Sequence, residues 1–205
     1  MIECWFDFAS NYSYLSLMRI ERQAAELGVP VVWRPFLLGP IFQSLGWNNS
    51  PFVLQQAKGN YVWQDMQRQC RKFDLPWRMP TQFPRRQLLP TRVALLGEDQ
   101  PWMGEYVRRI MTMNFAQDRD IDNAEAVADA LEGLGVPVNA FLELAGSQST
   151  KQRLRDRTEE AMARGIFGAP TFFVGTSMYW GNDRLDDALA EAAALPAAQL
   201  PVYGN

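Results

Sequence analysis

The first hydrophobic run, Ile2-Glu3-Cys4-Trp5-Phe6-Asp7-Phe8, is almost unbroken. Such a run predicts a strand covered on both faces. Behind it, Tyr14, Leu15, Leu17, Met18, Ile20, Ala24, Ala25 and Leu27 recur close to helical spacing, and Gly28 is placed to stop that helix. Val29 to Phe36 reads as a second strand, bracketed by Pro30 and Pro35. A strand, a helix and a strand in about 35 residues make a βαβ unit, whose strands run parallel through a right-handed crossover.

Between Pro51 and Gly165 the strand signal vanishes. Helical patterns run near 53–73, 87–97, 101–117, 122–134, 138–145 and 149–165, several of them separated by Pro or Gly. Asp122 to Glu125 and Ser149 to Gln152 read as helix starts. Thr171-Phe172-Phe173-Val174 and Met178-Tyr179-Trp180 flank a Gly175-Thr176-Ser177 turn and predict a hairpin. A last helix follows from Asn182-Asp183 to Ala194, and a loosely ordered tail is expected after Pro196. The order βαβ, helices, ββα predicts an α/β fold. Residues 1–50 and 166–205 pair into one four-stranded mixed sheet, and residues 51–165 form a large all-helical insertion.

Composition narrows the chemistry. Of 205 residues, 47% are hydrophobic, which excludes a disordered chain. The formal net charge of -3 leaves no basic footprint for nucleic acid. No apolar run approaches the roughly 18 residues of a membrane helix, and the N-terminus does not read as a signal peptide. A cytoplasmic protein is therefore expected. There is no histidine at all, so Ser-His-Asp and Cys-His machinery is excluded, and no metal site is expected. Cys4 and Cys70 form no C-x-x-C pair. Cys4, in an apolar strand, reads as a buried and inert thiol. Cys70 lies in a helical stretch rich in Arg and Gln.

Three motifs carry candidate chemistry. Ser10 stands where the first strand runs into the first helix. It reads either as an N-cap or as a group that meets an anion or thiolate at the helix start. Gly168-Ala169-Pro170-Thr171 precedes a strand, and a cis-proline there would offer the Ala169 backbone to an extended peptide. Trp180-Gly181-Asn182-Asp183 opens the last helix. Asn182 or Asp183 reads as its cap, or Asp183 as a partner for a ligand ammonium group. Gly181 permits close approach to the backbone.

Together these motifs resemble a family. Phe6-Asp7-Phe8-Ala9-Ser10-Asn11-Tyr12-Ser13-Tyr14-Leu15, Phe167-Gly168-Ala169-Pro170-Thr171-Phe172 and Trp180-Gly181-Asn182-Asp183-Arg184-Leu185 are similar to segments of the 2-hydroxychromene-2-carboxylate isomerases. Those enzymes belong with the kappa-class glutathione transferases in the DsbA-like branch of thioredoxin folds. The resemblance covers essentially the whole chain. It implies a thioredoxin-like sheet and a bound glutathione whose sulfur meets Ser10, where relatives with C-x-x-C keep their own thiol. It implies that Ala169 pairs with the cysteinyl part and that Trp180, Gly181, Asn182 and Asp183 hold the γ-glutamyl end. Phe42, Asn48 (or Asn49) and Phe83 would face a small aromatic substrate.

The reaction implied is interconversion of 2-hydroxychromene-2-carboxylate and trans-o-hydroxybenzylidenepyruvate by thiolate addition, bond rotation and elimination. A homodimer is also implied, with Trp63, Trp77 and Trp102 as exposed-looking aromatics. The chain departs from the family pattern at Phe42 and Phe83, which stand where a lysine and a tyrosine are expected, and at Asn11, which replaces a frequent proline. A kappa-type transferase or peroxidase acting on another electrophile, and a non-catalytic thioredoxin-like binding module, are the competing readings.

Overall fold

The structure is a computed structural model and describes residues 1–195. The tail expected to be loosely ordered lies outside the described residues. Strands β1 (Ile2–Phe6), β2 (Val31–Pro35), β3 (Thr171–Val174) and β4 (Ser177–Trp180) form one sheet in the order β2-β1-β3-β4. β1 and β2 are parallel, with Cys4 opposite Trp33. β3 runs antiparallel to β1, with Cys4 opposite Phe172, and β4 antiparallel to β3. The two ends of the chain thus make one mixed sheet, as the hydrophobic pattern predicts.

The helices are α1 (Asn11–Leu17), α2 (Ile20–Glu26), α3 (Leu38–Ser44), α4 (Pro51–Leu54), α5 (Gln56–Lys72) and α6 (Leu88–Leu96). They continue as α7 (Met103–Phe115), α8 (Ala124–Leu131), α9 (Val138–Gly146), α10 (Gln148–Ala163) and α11 (Leu185–Ala194). Between residues 51 and 165 all regular structure is helical.

The sheet is covered on both faces, which is why β1 reads as a continuous apolar run. Ile2, Cys4, Phe6, Phe172 and Val174 point into the main core. Trp5 and Phe173 point the other way, onto a smaller cluster with Phe36, Ile41 and Ala161. The main core continues from the sheet into the insertion through residues such as Tyr106, Ile110 and Val127. One apolar interior therefore braces both parts of the chain.

Three local expectations need correction. The single helix expected from Tyr14 to Leu27 is two helices, broken at Met18–Arg19. In a continuous helix the Arg19 N–H would bond the Leu15 carbonyl. Here the Arg19 side-chain Nε donates to that carbonyl at 2.9 Å, and the backbone N–H turns to Ser16 instead. The helix expected to start at Ser149 begins at Gln148, because the Ser147 hydroxyl caps it by accepting from the Thr150 N–H. Trp63, Trp77 and Trp102 are not exposed. Trp63 stacks on Trp77, Trp77 stacks on Phe115, and Trp102 meets Tyr106 and Phe141 edge-on. The exposed tryptophans are Trp47 and Trp180. Other expectations agree with the structure: Gly28, at φ 66°, ends α2, and Asn123 caps α8.

Candidate functional site

A cavity of about 1320 Å³ opens beyond the carboxyl end of β1, where ligands of open α/β sheets are usually found. Ser10, Ala169 and the run Trp180 to Asp183 all line it. So do Phe42, Asn48 and Phe83. All nine residues singled out from the sequence, drawn from both ends of the chain and from the insertion, therefore meet around one space.

Ser10 caps the first helix and also reaches the cis-proline loop. Its backbone is extended at φ -81° and ψ 116°, and its Oγ accepts from the Ser13 N–H at 3.2 Å as the N-cap of α1. The same hydroxyl donates to the Ala169 carbonyl at 2.9 Å. The Ala169–Pro170 bond is cis, as the motif predicts. The Pro170 carbonyl accepts from the Gly181 N–H at 2.9 Å, which ties this loop to the end of the hairpin. Gly181 has φ 108°, a conformation that side chains strongly resist.

Asn182 does not cap the last helix, and neither does Asp183. Residues Asn182–Arg184 form a single 3₁₀ turn ahead of α11. The Asn182 side-chain oxygen instead accepts from the Ser16 hydroxyl at 3.1 Å and from Arg19 Nη2 at 2.8 Å. It faces inward and locks the hairpin end onto α1. Asp183 is exposed at the cavity rim and paired with Arg184.

The opposite wall is aromatic. Phe42 lies 5.7 Å from Trp47, and Phe83 packs edge-on against Trp63 at 4.7 Å. Asn48 and Asn49 both line the cavity. The Asn49 side-chain oxygen is held by the Ser50 N–H at 2.7 Å, so Asn48 is the better placed of the two to meet a ligand. The cations on this wall are engaged: Arg85 with Asn114 and Asp118, and Arg86 with Asp122.

Several lining residues escape a reading of sequence alone. Asp7 is buried and accepts from the Ala9 N–H and the Leu38 N–H, each at 2.8 Å. It thereby fixes the loop before Ser10 to the start of α3. Burial lifts its carboxyl to about 6, opposed by hydrogen bonds from Leu38, Gln87, Ala9 and Ser10. The Tyr12 hydroxyl donates to Asp65 at 2.8 Å, joining α1 to α5. Asn11 is 1% exposed, and neither polar atom of its side chain has a hydrogen-bond partner among the described residues.

Neither cysteine takes part. Cys4 and Cys70 lie in the main core, away from the cavity lining. Burial raises both thiols, that of Cys70 to about 12. No thiolate of this chain faces the cavity among the described residues.

The model of the DSBA-like thioredoxin domain matches residues 1–193. The chain belongs to the DSBA-like thioredoxin family. Within it, this DSBA-like chain is 27% identical to the 2-hydroxychromene-2-carboxylate isomerase of Pseudomonas putida over 186 residues, covering 90% of each sequence. It is also 27% identical to glutathione S-transferase kappa 1 of Rattus norvegicus over 200 residues, covering 91% of this chain and 88% of the relative. A solved structure of 2-hydroxychromene-2-carboxylate isomerase superposes with a TM-score of 0.84 at 24% identity, covering 93% of each chain. The thioredoxin-like architecture with a helical insertion follows from the family match and this superposition. Among the described residues no helix is long and apolar enough to cross a membrane.

Proposed function

We propose that this protein is a glutathione-dependent isomerase that interconverts 2-hydroxychromene-2-carboxylate and trans-o-hydroxybenzylidenepyruvate. One observation carries the reading. The cavity has a serine hydroxyl beside the cis-proline loop, while both cysteines are buried elsewhere. The nucleophile must then come with a ligand. The cavity suits a thiol tripeptide: Lys58 and Lys72 can meet carboxylates, Asp183 an ammonium group, and the Ala169 backbone an extended peptide.

Bound glutathione would supply a thiolate for reversible addition to a conjugated double bond. The chain's own task is to hold that sulfur and keep it ionised. Ser10 has one hydroxyl proton, and it rests on the Ala169 carbonyl. When a peptide N–H takes over that carbonyl, the proton turns toward the sulfur while the Ser13 N–H still holds the oxygen. Hydrogen bonds to charged groups contribute about 1.5–3 kcal/mol. Phe42, Trp47 and Phe83 offer faces against which an aromatic substrate can pack and exclude water. The homodimer implied by the family resemblance belongs to this proposal, and light scattering tests it.

Following the chromene acid by absorbance, with and without glutathione, tests the reading. Turnover should require glutathione and fall roughly 10- to 100-fold in Ser10→Ala. Turnover without glutathione, or unchanged in the variant, sinks it. A second reading, kappa-type conjugation of an uncharged electrophile, is favoured by the engaged state of Arg85 and Arg86, which pair with Asp118 and Asp122 instead of facing a ligand. A neutral aryl halide consumed in preference to the chromene acid would decide for it.

A further inference from the structure

Asn11 is a buried amide in the cavity wall whose Oδ1 and Nδ2 both lack a hydrogen-bond partner among the described residues. It is 1% exposed and directly follows Ser10. Ser13 Oγ and Gln23 Oε1 are also unmatched among the described residues, but neither residue lines the cavity, and Gln23 still donates to Asp186. Buried polar groups are ordinarily paired, because giving up water without a replacement is costly. An orphan amide in a cavity wall marks a place for a ligand group.

The amide defines its own guest. It presents an acceptor, Oδ1, beside a donor, Nδ2. A thiolate or a lone carboxylate only accepts, so either would leave Oδ1 open. A guest that satisfies both atoms carries a hydroxyl or N–H next to an acceptor. Glutathione offers one such pair, its cysteinyl N–H and C=O, and in the proposed function that pair belongs to the Ala169 backbone. The chromene acid offers another at C2, which bears a hydroxyl and a carboxylate on one carbon.

Reach and charge agree. A thiolate that adds to this skeleton bonds the benzylic carbon, C4, and the path S–C4–C3–C2 spans about 4 Å when extended. The Cα atoms of Ser10 and Asn11 are about 3.8 Å apart. With sulfur held at Ser10, C2 falls within reach of the Asn11 side chain. Arg85 and Arg86, in the same lining, are held by Asp118 and Asp122. A neutral amide can take the carboxylate with one hydrogen bond and read the hydroxyl with the other.

We infer that the Asn11 side chain binds the 2-hydroxy acid of the chromene substrate, with Nδ2 donating to the carboxylate and Oδ1 accepting from the hydroxyl. This rests on the function proposed above. Asn11 is then a specificity residue that recognises the closed ring. It loses one of its two bonds when the ring opens to a 2-keto acid, which has no hydroxyl at that carbon.

The test is calorimetric titration of the glutathione complexes of wild type and Asn11→Leu with two inert acids, 2-hydroxytetralin-2-carboxylate and tetralin-2-carboxylate. Both keep two fused rings, neither can open or add a thiol, and they differ only in the hydroxyl. Wild type should bind the hydroxy acid about 5- to 100-fold more tightly, because without the hydroxyl Oδ1 stays unpaired in a buried site. Asn11→Leu should bind the two acids alike and should bind glutathione as wild type does. Equal affinity of wild type for the two acids overturns the assignment, and so does discrimination that survives in Asn11→Leu. Weaker glutathione binding by Asn11→Leu also overturns it, since the amide would then serve the tripeptide. If Asn11→Leu does not fold, Asn11→Pro replaces it, with the same loss of discrimination expected. A wild type that binds glutathione but neither acid refutes the chromene reading itself, and one that binds no glutathione refutes the glutathione reading. Both results are distinct from acids bound without discrimination, which refutes the role of Asn11 alone.

Discussion

The Ser10 hydroxyl donates to the Ala169 carbonyl across 159 residues of sequence. That bond brings the helix start of the first βα turn against the cis-proline loop at the far end of the chain. It also rests the Ser10 hydroxyl proton on a neutral acceptor.

Ser10→Ala removes this bond and the cap on Ser13 together. Loss of an N-cap serine costs about 1 kcal/mol, or about 2–4 °C of melting temperature in a chain of this size. We expect a folded protein with a modest fall in melting temperature by calorimetry, beside the larger loss of turnover. A collapse of the fold would mean that Ser10 is chiefly structural.

Asn11→Pro should stabilise the protein. Asn11 is the first residue of α1, a position proline favours, and Ser10 already has the extended ψ of 116° that a following proline demands. The buried Asn11 amide has no partner among the described residues, and each such group costs about 1–3 kcal/mol. Chemical denaturation should show a gain of about 1–3 kcal/mol. A loss would mean that the Asn11 amide is satisfied by something the bare chain does not include.

Asp7 should make folding take up a proton. Its carboxyl rises from the ordinary range near 4 to about 6 on folding, because burial disfavours the charge. The native state therefore binds the proton more tightly than the unfolded chain. This contribution is fully present below about pH 4, declines as pH rises to about 6, and is absent above. Two units correspond to about 3 kcal/mol. Asp7→Asn should remove this slope from denaturation curves collected between pH 4 and 7. It should also lower stability at neutral pH, since one amide cannot accept from both Ala9 and Leu38. An unchanged slope would show that Asp7 does not titrate in this range.

Gly181→Ala should cost stability and ligand affinity together. At φ 108° a side chain is strained, and a Cβ would lie 2.6 Å from Asp183 Oδ1. Strain of this kind costs about 1–3 kcal/mol. Because the Gly181 N–H holds the Pro170 carbonyl, the cis-proline loop should shift with it. Denaturation and glutathione titration check both effects, and affinity unaffected by the substitution would detach Gly181 from the site.

Much of the architecture was legible before any contact was known. The apolar run of β1, the hairpin around Gly175, and the helical periods of the insertion are local patterns. Local patterns follow from which side chains must leave water. Ser10, Ala169 and Asp183 could be singled out because helix starts, prolines and glycines carry their geometry with them.

Arg19, Asp7, the partners of Asn182 and the unmatched amide of Asn11 could not be read that way. The break after α1 depends on a guanidinium whose partner Asn182 lies 163 residues away, and the role of Asp7 depends on an amide 31 residues on. Sequence periodicity reports burial and backbone preference within a few turns. It does not report which buried polar group finds a partner and which is left for a ligand, because that is settled only when distant segments pack together. The chain by itself determined a mixed sheet with a helical insertion and a serine at the start of its first helix. Only the packing of both ends against each other decided that a buried arginine would line the cavity with no carboxylate partner among the described residues.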